Sequence, residues 1–190
     1  MVSPSHLEKM ALFAVNTGCR DQEICELRWD WEIQIPEMPH IMVFIIPAAL
    51  VKNGEGRLVV ARAVVDNGRG VHPTHVFTYK SRPLARILST GWRNARVKAF
   101  LPQVRVHDLK HTFGRRLRAA GVSFEDRQGL LGHRSGRITM HYSSAELQNL
   151  FEAANTVCEN QKSGVVLILL RNKIFKPRNA INEKNKEISL

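Results

Sequence analysis

Five of the residues from His107 to Tyr142 could together exchange protons, stabilise negative charge and supply a nucleophile. His107, Lys110 and His111 stand at positions i, i+3 and i+4, so a helix would place them on one face. His133 follows, and Tyr142 comes nine residues after it. An imidazole can take the proton from a phenol, and a nearby cation can stabilise a developing negative charge. This segment therefore has the groups for nucleophilic catalysis without a metal.

His107 and His111 also suggest a different chemistry. Two histidines four residues apart on one helix face can bind zinc. A zinc protease of this type would have a glutamate directly after the first histidine, whereas Asp108 stands there. The spacing reveals no third ligand, so we expect no metal and no cofactor. A zinc hydrolase is kept as the alternative from another functional class.

The chain ahead of these residues predicts two helices joined at a glycine. A helix is expected over residues 5–17, where apolar residues recur at helical spacing after a capping-box pattern. Gly18 can supply the left-handed residue that ends this helix, and Asp21 can cap a second helix that runs to Leu27. Arg20 would then lie at the junction between the two helices.

A small antiparallel sheet should follow. Runs rich in β-branched residues at 33–36, 41–46 and 57–65 are separated by Pro and Gly. Lys52-Asn53-Gly54 marks a tight turn, because Asn-Gly between apolar strands is a strong hairpin signal. We therefore expect Lys52 at a strand end, projecting from a rigid support.

The second half of the chain predicts mainly helices. After a short strand over residues 76–78, Pro83 suits the first turn of a helix. Three further helices are expected, over residues 107–120, from Ser123 to Leu131, and from Ser143 or Ser144 onward. The predicted fold class is α+β, mostly α-helical with a small antiparallel sheet.

Basic residues give the chain a formal net charge of +11. Residues 80–118 carry eleven Lys or Arg against one acid, whereas residues 1–37 carry three against seven. A concentrated positive surface suits a polyanion, because phosphate contacts release counterions and dominate nucleic-acid affinity. A basic protein that is merely soluble is the simpler alternative, and it would not need this concentration.

The cysteines and the apolar runs indicate the cellular compartment of the protein. Cys19, Cys25 and Cys158 are too few and too irregularly spaced for a disulfide framework or a Cys-x-x-Cys zinc site. We therefore expect a reducing cytoplasm. The longest late apolar run, residues 165–170, is far shorter than the roughly 20 residues needed to span a bilayer, so no membrane partner is expected.

Five short segments together resemble the tyrosine recombinases, or phage-type integrases. They are TGCRDQEICELRW around Arg20, Lys52 before Asn-Gly, HDLKHT from His107, LLGHRS around His133, and HYS at Tyr142. Each motif alone is weak, but their order and spacing make the pattern specific. The resemblance implies a catalytic domain over residues 1–160 that acts on double-stranded DNA.

The resemblance also implies a role for each residue. Tyr142 attacks DNA phosphorus to form a 3′-phosphotyrosyl link, which the 5′-hydroxyl of a second strand later reverses. Arg20 binds the scissile phosphate, and Lys52 is the general acid for the leaving 5′ oxygen. His107 accepts the proton of Tyr142 or contacts the phosphate, and His133 donates a hydrogen bond to the phosphate.

The residues by themselves allow simpler roles. Arg20 could instead pair with Glu23 or Glu26 on the next helix, since surface ion pairs are common. Lys52 could be a solvated turn lysine, and His107 an ordinary histidine at a helix start.

One position departs from the family pattern. The second arginine of the family falls at Lys110. Lysine keeps the positive charge but lacks the planar guanidinium, so a charge-assisted hydrogen bond to the transition state should weaken. At about 1.5 to 3 kcal/mol, the rate loss would be about ten- to a hundred-fold. We therefore expect weak but real catalysis.

The position of the motifs suggests a shortened protein. Members of the family usually carry an N-terminal helical DNA-binding domain, whereas this sequence starts almost at the first-arginine helix. We expect that domain to be absent, residues 161–190 to form a basic flexible tail, and the gene to come from a phage or bacterial mobile element. The resemblance implies a tetramer on DNA. The rival function is a catalytically defective DNA-binding remnant of an integrase.

Overall fold

The computed structural model of the chain describes residues 5–36, 41–52, 54–61, 69–87, 89–133 and 143–159. Two predictions fall outside these residues, the position of Tyr142 and the tail over residues 161–190. None of the helices within the described ranges is long and apolar enough to cross a membrane.

The first two helices are joined at a glycine, as the sequence predicts. Helix α1 (Ser5–Thr17) leads directly into the short helix α2 (Asp21–Cys25), which ends before Leu27. Gly18 between them has a φ of +63°, a left-handed conformation that favours glycine. A Cβ on Gly18 would also lie 2.8 Å from the Phe113 ring. The junction is therefore fixed by backbone conformation and by close packing against a later helix.

The sheet has three antiparallel strands in the order β1-β2-β3. They are β1 (Glu32–Ile33), β2 (Met42–Ile46) and β3 (Arg57–Ala61). The first two are shorter than the sequence predicts, and the rest of the predicted third strand, residues 62–65, lies outside the described residues. Phe44 of β2 pairs with Val59 of β3, and both side chains enter the main core with α1 and α2. The alternate residues Val43 and Val60 pack on the opposite face with Phe151. Because both faces of the sheet are covered, it forms a rigid support.

The link between β2 and β3 contains the expected tight turn, closed by a hydrogen bond from the Gly54 N–H to the Val51 carbonyl, but it is longer than a two-residue hairpin. Residues 47–56 separate the two strands and include a 3₁₀ turn, Ala48–Leu50. Lys52 therefore lies within a longer loop and not at a strand end. Val51 beside it is buried in the main core and fixes this part of the loop.

The predicted helix starting at Pro83 is wrong. Residues Thr78–Tyr79 form β4 and Arg82–Pro83 form β5, a short hairpin. Helix α3 begins later, at Thr90, and runs to Lys98 after Ser89 caps the Trp92 amide at 3.3 Å. The expected strand over residues 76–78 is displaced in the same way, since only its last residue is in β4.

The last three helices agree with the prediction. They are α4 (Val106–Ala119), α5 (Phe124–Leu131) and α6 (Ser144–Glu159). Their shared core is apolar and consists of Phe113, Leu117, Leu130, Leu150 and Val157. The observed architecture confirms the α+β class, mostly helical with small antiparallel sheets.

Candidate active site

Arg20 lies at the junction of α1 and α2, in an extended conformation that starts α2. Its backbone N–H donates to Glu23 Oε2 at 2.8 Å, and its Nη1 donates to Glu23 Oε1 at 2.7 Å. The pairing with Glu23 that the sequence allowed is therefore present. The Arg20 side chain is still 23% exposed and lines an open cavity, so Glu23 orients the guanidinium without burying it.

Glu23 is buried and is shared by two arginines. Its second partner is Arg57, whose Nη1 donates to Glu23 Oε2 in a fully buried ion pair. Burial raises the pKa of Glu23, but the Arg57 guanidinium and the hydrogen bonds from Arg20 outweigh burial, so this pKa lies below its usual range. Glu23 therefore stays ionised and supports both arginines.

Lys52 approaches the cavity from the loop between β2 and β3. The Gly54 N–H donates to the Val51 carbonyl at 2.9 Å, which closes a turn around Lys52. The Lys52 side chain is exposed and lines the same cavity as Arg20. A flexible ammonium on a loop anchored by Val51 can reach an anion in this cavity.

His107 stands in the first turn of α4, and its exposed ring also lines the cavity. Partial burial and the surrounding cations lower its pKa, so the ring is more often neutral near pH 7. A neutral imidazole can accept a proton. The His111 ring lies edge-on to it, with 4.6 Å between the ring centroids.

Lys110, on the same helix, is buried and only 4% exposed. Its ammonium donates to the Leu131 carbonyl at the end of α5. Burial, together with the charges of Arg57 and Arg20, lowers the pKa of Lys110 to about 7. At neutral pH this position therefore keeps only part of the positive charge that the sequence suggested.

His133 follows α5 through a left-handed glycine. Gly132 has a φ of +58°, and the His133 N–H donates to the Gln128 carbonyl at 3.0 Å. This Schellman arrangement ends α5 and fixes the backbone of His133, whose side chain is exposed. Burial and the charges of Lys110 and Arg20 lower its pKa. Besides burial, the charges of Lys110 and Arg20 therefore lower the pKa values of both His107 and His133.

The cavity brings together only part of the predicted site. Its volume is about 780 Å³, and it is lined by Arg20, Lys52 and His107 from three different elements. We call these residues, with Arg86, the cavity face. Lys110 lies in the interior beside Glu23 and Arg57, and we call these three residues the buried charge cluster. Tyr142 lies outside the described residues, directly before Ser143, which caps α6 through Glu146.

Two arginines of the site were missed from the sequence. Arg86 lines the cavity, although its place between Leu84 and Ile87 suggested only the polar face of a helix. Arg57 opens an apolar strand, where a basic residue usually marks an exposed end, yet it is 1% exposed. No local pattern in the sequence signals this burial, because the carbonyls that Arg57 binds are backbone groups of distant residues.

The described residues contain no group of three or more His, Cys, Asp or Glu side chains that could hold a metal ion. The zinc alternative would therefore need a third ligand beyond His107 and His111.

Comparisons with known proteins agree with this architecture. The integrase of Salmonella phage P22 is 28% identical over 167 residues, which cover 80% of this chain and 42% of that protein. The fold resembles the XerH site-specific recombinase bound to its difH substrate in a pre-cleavage complex, with a TM-score of 0.54 and 22% identity. That match covers 78% of this chain and 46% of the XerH chain. A post-cleavage XerH complex with palindromic difH gives the same TM-score at 21% identity, over 78% of this chain and 44% of that one.

The chain thus spans less than half the length of each of these proteins. The family model described as the phage integrase family matches residues 3–149, from α1 into α6. This match includes every motif segment from Arg20 to Tyr142, and the chain therefore belongs to the phage integrase family.

Proposed function

We propose that the chain breaks and rejoins DNA strands at specific sites through a 3′-phosphotyrosyl intermediate on Tyr142. The observation that carries the proposal is the convergence of Arg20, Lys52 and His107 on one open cavity. Three separate elements supply three positive or proton-transferring groups to one place, as an anionic substrate would require. The related XerH was solved in complex with its difH substrate, which supports double-stranded DNA as the partner.

The chemistry at phosphorus needs four roles. The Tyr142 oxygen forms a bond to phosphorus while the bond from phosphorus to the 5′ oxygen breaks. Lys52 gives a proton to the leaving oxygen, and His107 takes the proton of the tyrosine. Arg20 and His133 stabilise the negative charge of the in-line transition state. Attack by a 5′-hydroxyl reverses these steps and regenerates the tyrosine, so the sequence of steps balances without a nucleotide cofactor or a metal.

The buried position of Lys110 supports the proposal that catalysis is slow. Its ammonium hydrogen bonds to the Leu131 carbonyl inside the protein, and its pKa of about 7 leaves the charge incomplete at neutral pH. A buried lysine of this kind stabilises a phosphate less than an arginine that presents two parallel hydrogen bonds.

The organisation of the chain is part of the proposal. A catalytic domain over residues 1–160 with a basic tail over 161–190, assembly as a tetramer on DNA, and a cytoplasmic location all stay predictions. A catalytic domain alone would contact one face of the duplex, so affinity should be modest and strongly dependent on salt.

A suicide substrate tests the reaction. A nicked duplex that loses the 5′-hydroxyl fragment after cleavage should trap a covalent protein–DNA adduct on a denaturing gel, at low salt and high protein concentration. The Tyr142→Phe variant should bind the same DNA and give no adduct. The adduct should also form in the presence of a chelator. An adduct with Tyr142→Phe, or one that the chelator abolishes, would refute the proposed mechanism.

The buried position of Lys110 also favours a second candidate, a DNA-binding remnant without catalysis. Both candidates predict salt-dependent binding to duplex DNA, so binding alone does not separate them. Binding by the parent chain without any adduct would favour the remnant.

A further inference from the structure

Arg57 is the first residue of β3, and its side chain enters the interior between three parts of the site. The guanidinium is 1% exposed. Nη1 pairs with Glu23, and Nη2 donates to the carbonyls of Thr17 and Leu130, at 2.8 Å each. One side chain thus connects the segment before Arg20 with the segment before His133.

The two carbonyls that Arg57 binds lie at helix ends. Thr17 is the last residue of α1, and Leu130 is the next to last residue of α5. The last carbonyls of a helix have no partner within the helix and carry partial negative charge. A single guanidinium therefore satisfies two helix C-termini at once and holds them together.

Only an arginine fits this arrangement. A planar guanidinium has donors in fixed directions, so it can bind a carboxylate and two carbonyls at the same time. A lysine ammonium could keep the charge, but its compact head and flexible stem would not reproduce the fixed spacing.

Gly132 shows how closely α5 packs on this side chain. A Cβ on Gly132 would lie 2.5 Å from Arg57 Cδ and 2.7 Å from Arg57 Nε. The residue also has a left-handed backbone conformation, at a φ of +58°. His133 follows immediately, so the stem of Arg57 forms the surface on which the turn to His133 rests.

Arg57 also carries charge into the interior near the catalytic groups. Its charge is among the causes that lower the pKa values of Lys110 and His133, after burial in both cases. Glu23 balances one positive charge in this region and is held in turn by Arg20.

We propose that Arg57 is a positioning residue for the strand-cleavage reaction: its buried guanidinium fixes the α1–α2 junction and the end of α5 relative to each other, and thereby sets the separation of Arg20 and His133 around the phosphate. This inference rests on the proposed function for its catalytic readout. A displacement of catalytic groups by about 1 Å can cost about a hundredfold in rate, so the effect should be large.

The test compares Arg57→Lys with a control on the same strand. Val59→Ala removes two methyl groups from the main hydrophobic core, two residues along β3 from Arg57. Arg57→Lys should slow adduct formation on the suicide substrate by about a hundredfold, with DNA affinity changed by less than about threefold, because phosphate contacts on the surface are retained. Val59→Ala, compared at equal folded fraction, should retain the parental rate within about threefold.

Gly132→Ala provides a second variant in case Arg57→Lys does not fold. This variant retains Arg57, but the added Cβ would displace the Arg57 side chain. Gly132→Ala should therefore slow adduct formation about as much as Arg57→Lys. A folded Arg57→Lys variant as fast as Val59→Ala would overturn the inference. If Arg57→Lys does not fold, a parental rate with Gly132→Ala would overturn it.

A spectroscopic measurement separates this inference from the proposed function. The ring resonances of His133 and the Nε resonance of Arg20, recorded without DNA, should shift in Arg57→Lys or Gly132→Ala and stay near their parental positions in Val59→Ala. If the parent forms no adduct, the proposed function fails and these resonances still decide the role of Arg57. Unchanged His133 and Arg20 signals would refute the positioning role whatever the parent does with DNA.

Discussion

The buried charge cluster and the cavity face both contain basic side chains, but in opposite surroundings. Glu23, Arg57 and Lys110 are at most 4% exposed, whereas Lys52 and His107 face solvent across an open cavity. In the cluster, each charge has a specific partner and a fixed direction. On the cavity face, Arg20 pairs with Glu23, whereas Lys52, His107 and Arg86 form no ion pair with another described residue.

This difference in exposure suits the buried charge cluster to positioning and the cavity face to contact with a substrate. A buried charge without its partner costs several kcal/mol, so the cluster can hold three chain segments in one arrangement. An exposed charge contributes little to stability but remains available to a phosphate. Substitutions in the cluster should therefore lower stability, whereas substitutions on the cavity face should change DNA binding and catalysis with little effect on stability.

The largest effect is expected for Glu23→Ala. This change leaves the Arg57 guanidinium buried without its carboxylate, and breaking such a pair costs about 3–5 kcal/mol. The free energy of unfolding in urea measures the loss. Asp30→Ala is the matched control, because Asp30 pairs with Arg28 at the surface and such pairs contribute about 0–1 kcal/mol. Equal losses in the two variants would remove the distinction between the two regions.

The second prediction concerns Lys110→Arg. If cleavage is slow because residue 110 lacks a guanidinium, Lys110→Arg should raise the rate of adduct formation by about ten- to a hundred-fold. Single-turnover cleavage of the suicide substrate measures this rate. An unchanged rate in a folded variant would mean that Lys110 belongs only to the interior, and the argument for attenuation would fail.

Local signals in the sequence predicted the elements that hold the site. The junction at Gly18 follows from the need for a left-handed residue at a helix end. The last helix was predicted to open at Ser143 or Ser144, and in the structure Ser143 and Glu146 cap α6. These features depend on residues close together in the chain.

The failures depend on contacts between distant residues. A helix was expected from Pro83, but Lys80 and Ser81 adopt positive φ values of 50° and 59° and form a hairpin without the usual Asn-Gly signal. Ile87 is buried in that segment although it lies outside a helix. Its backbone N–H donates to the Asp21 carboxylate at 2.6 Å and so needs no partner within a helix. The spacing of apolar residues after Pro83 could not show that Asp21 binds this segment.

Arg57 and Lys110 show the same limit within the site. A basic residue in a sequence is expected at the surface, and only the packing of β3, α4 and α5 reveals that both are buried. Their partners, the carbonyls of Leu130 and Leu131, are backbone groups that no motif can mark. Sequence motifs therefore predicted candidate groups for chemistry, but they did not predict the buried side chains and backbone groups that hold these candidates in place.

The pH dependence of stability should report the buried lysine. Lys110 has a pKa of about 7 in the folded protein, against 10.5 for an ordinary lysine. Between these values the unfolded chain binds more protons than the folded one, so stability should rise with pH, by up to about 1.4 kcal/mol per unit. Urea unfolding at pH 7 to 8.5 should show this rise in the parent and a flatter dependence in Lys110→Met.

The upper limit of that range matters for the interpretation. Burial raises the pKa values of Cys19 and Cys25, the latter to about 12, so both thiols oppose the trend above their ordinary value of 9.0. Below that value they stay protonated in both states. Parallel slopes for the parent and Lys110→Met would show that Lys110 titrates normally.

The smallest effect is expected for Arg86→Gln on the cavity face. Arg86 is exposed and lines the cavity beside Arg20, Lys52 and His107, so its loss should change the free energy of unfolding by less than about 0.5 kcal/mol. If Arg86 contacts a DNA phosphate, log affinity against log salt should lose about one unit of slope, because one fewer counterion is released. Fluorescence anisotropy over a salt series measures this slope. Arg28→Gln, which removes an arginine on another part of the surface, should retain the parental slope, and an unchanged slope for Arg86→Gln as well would exclude Arg86 from the DNA-binding surface.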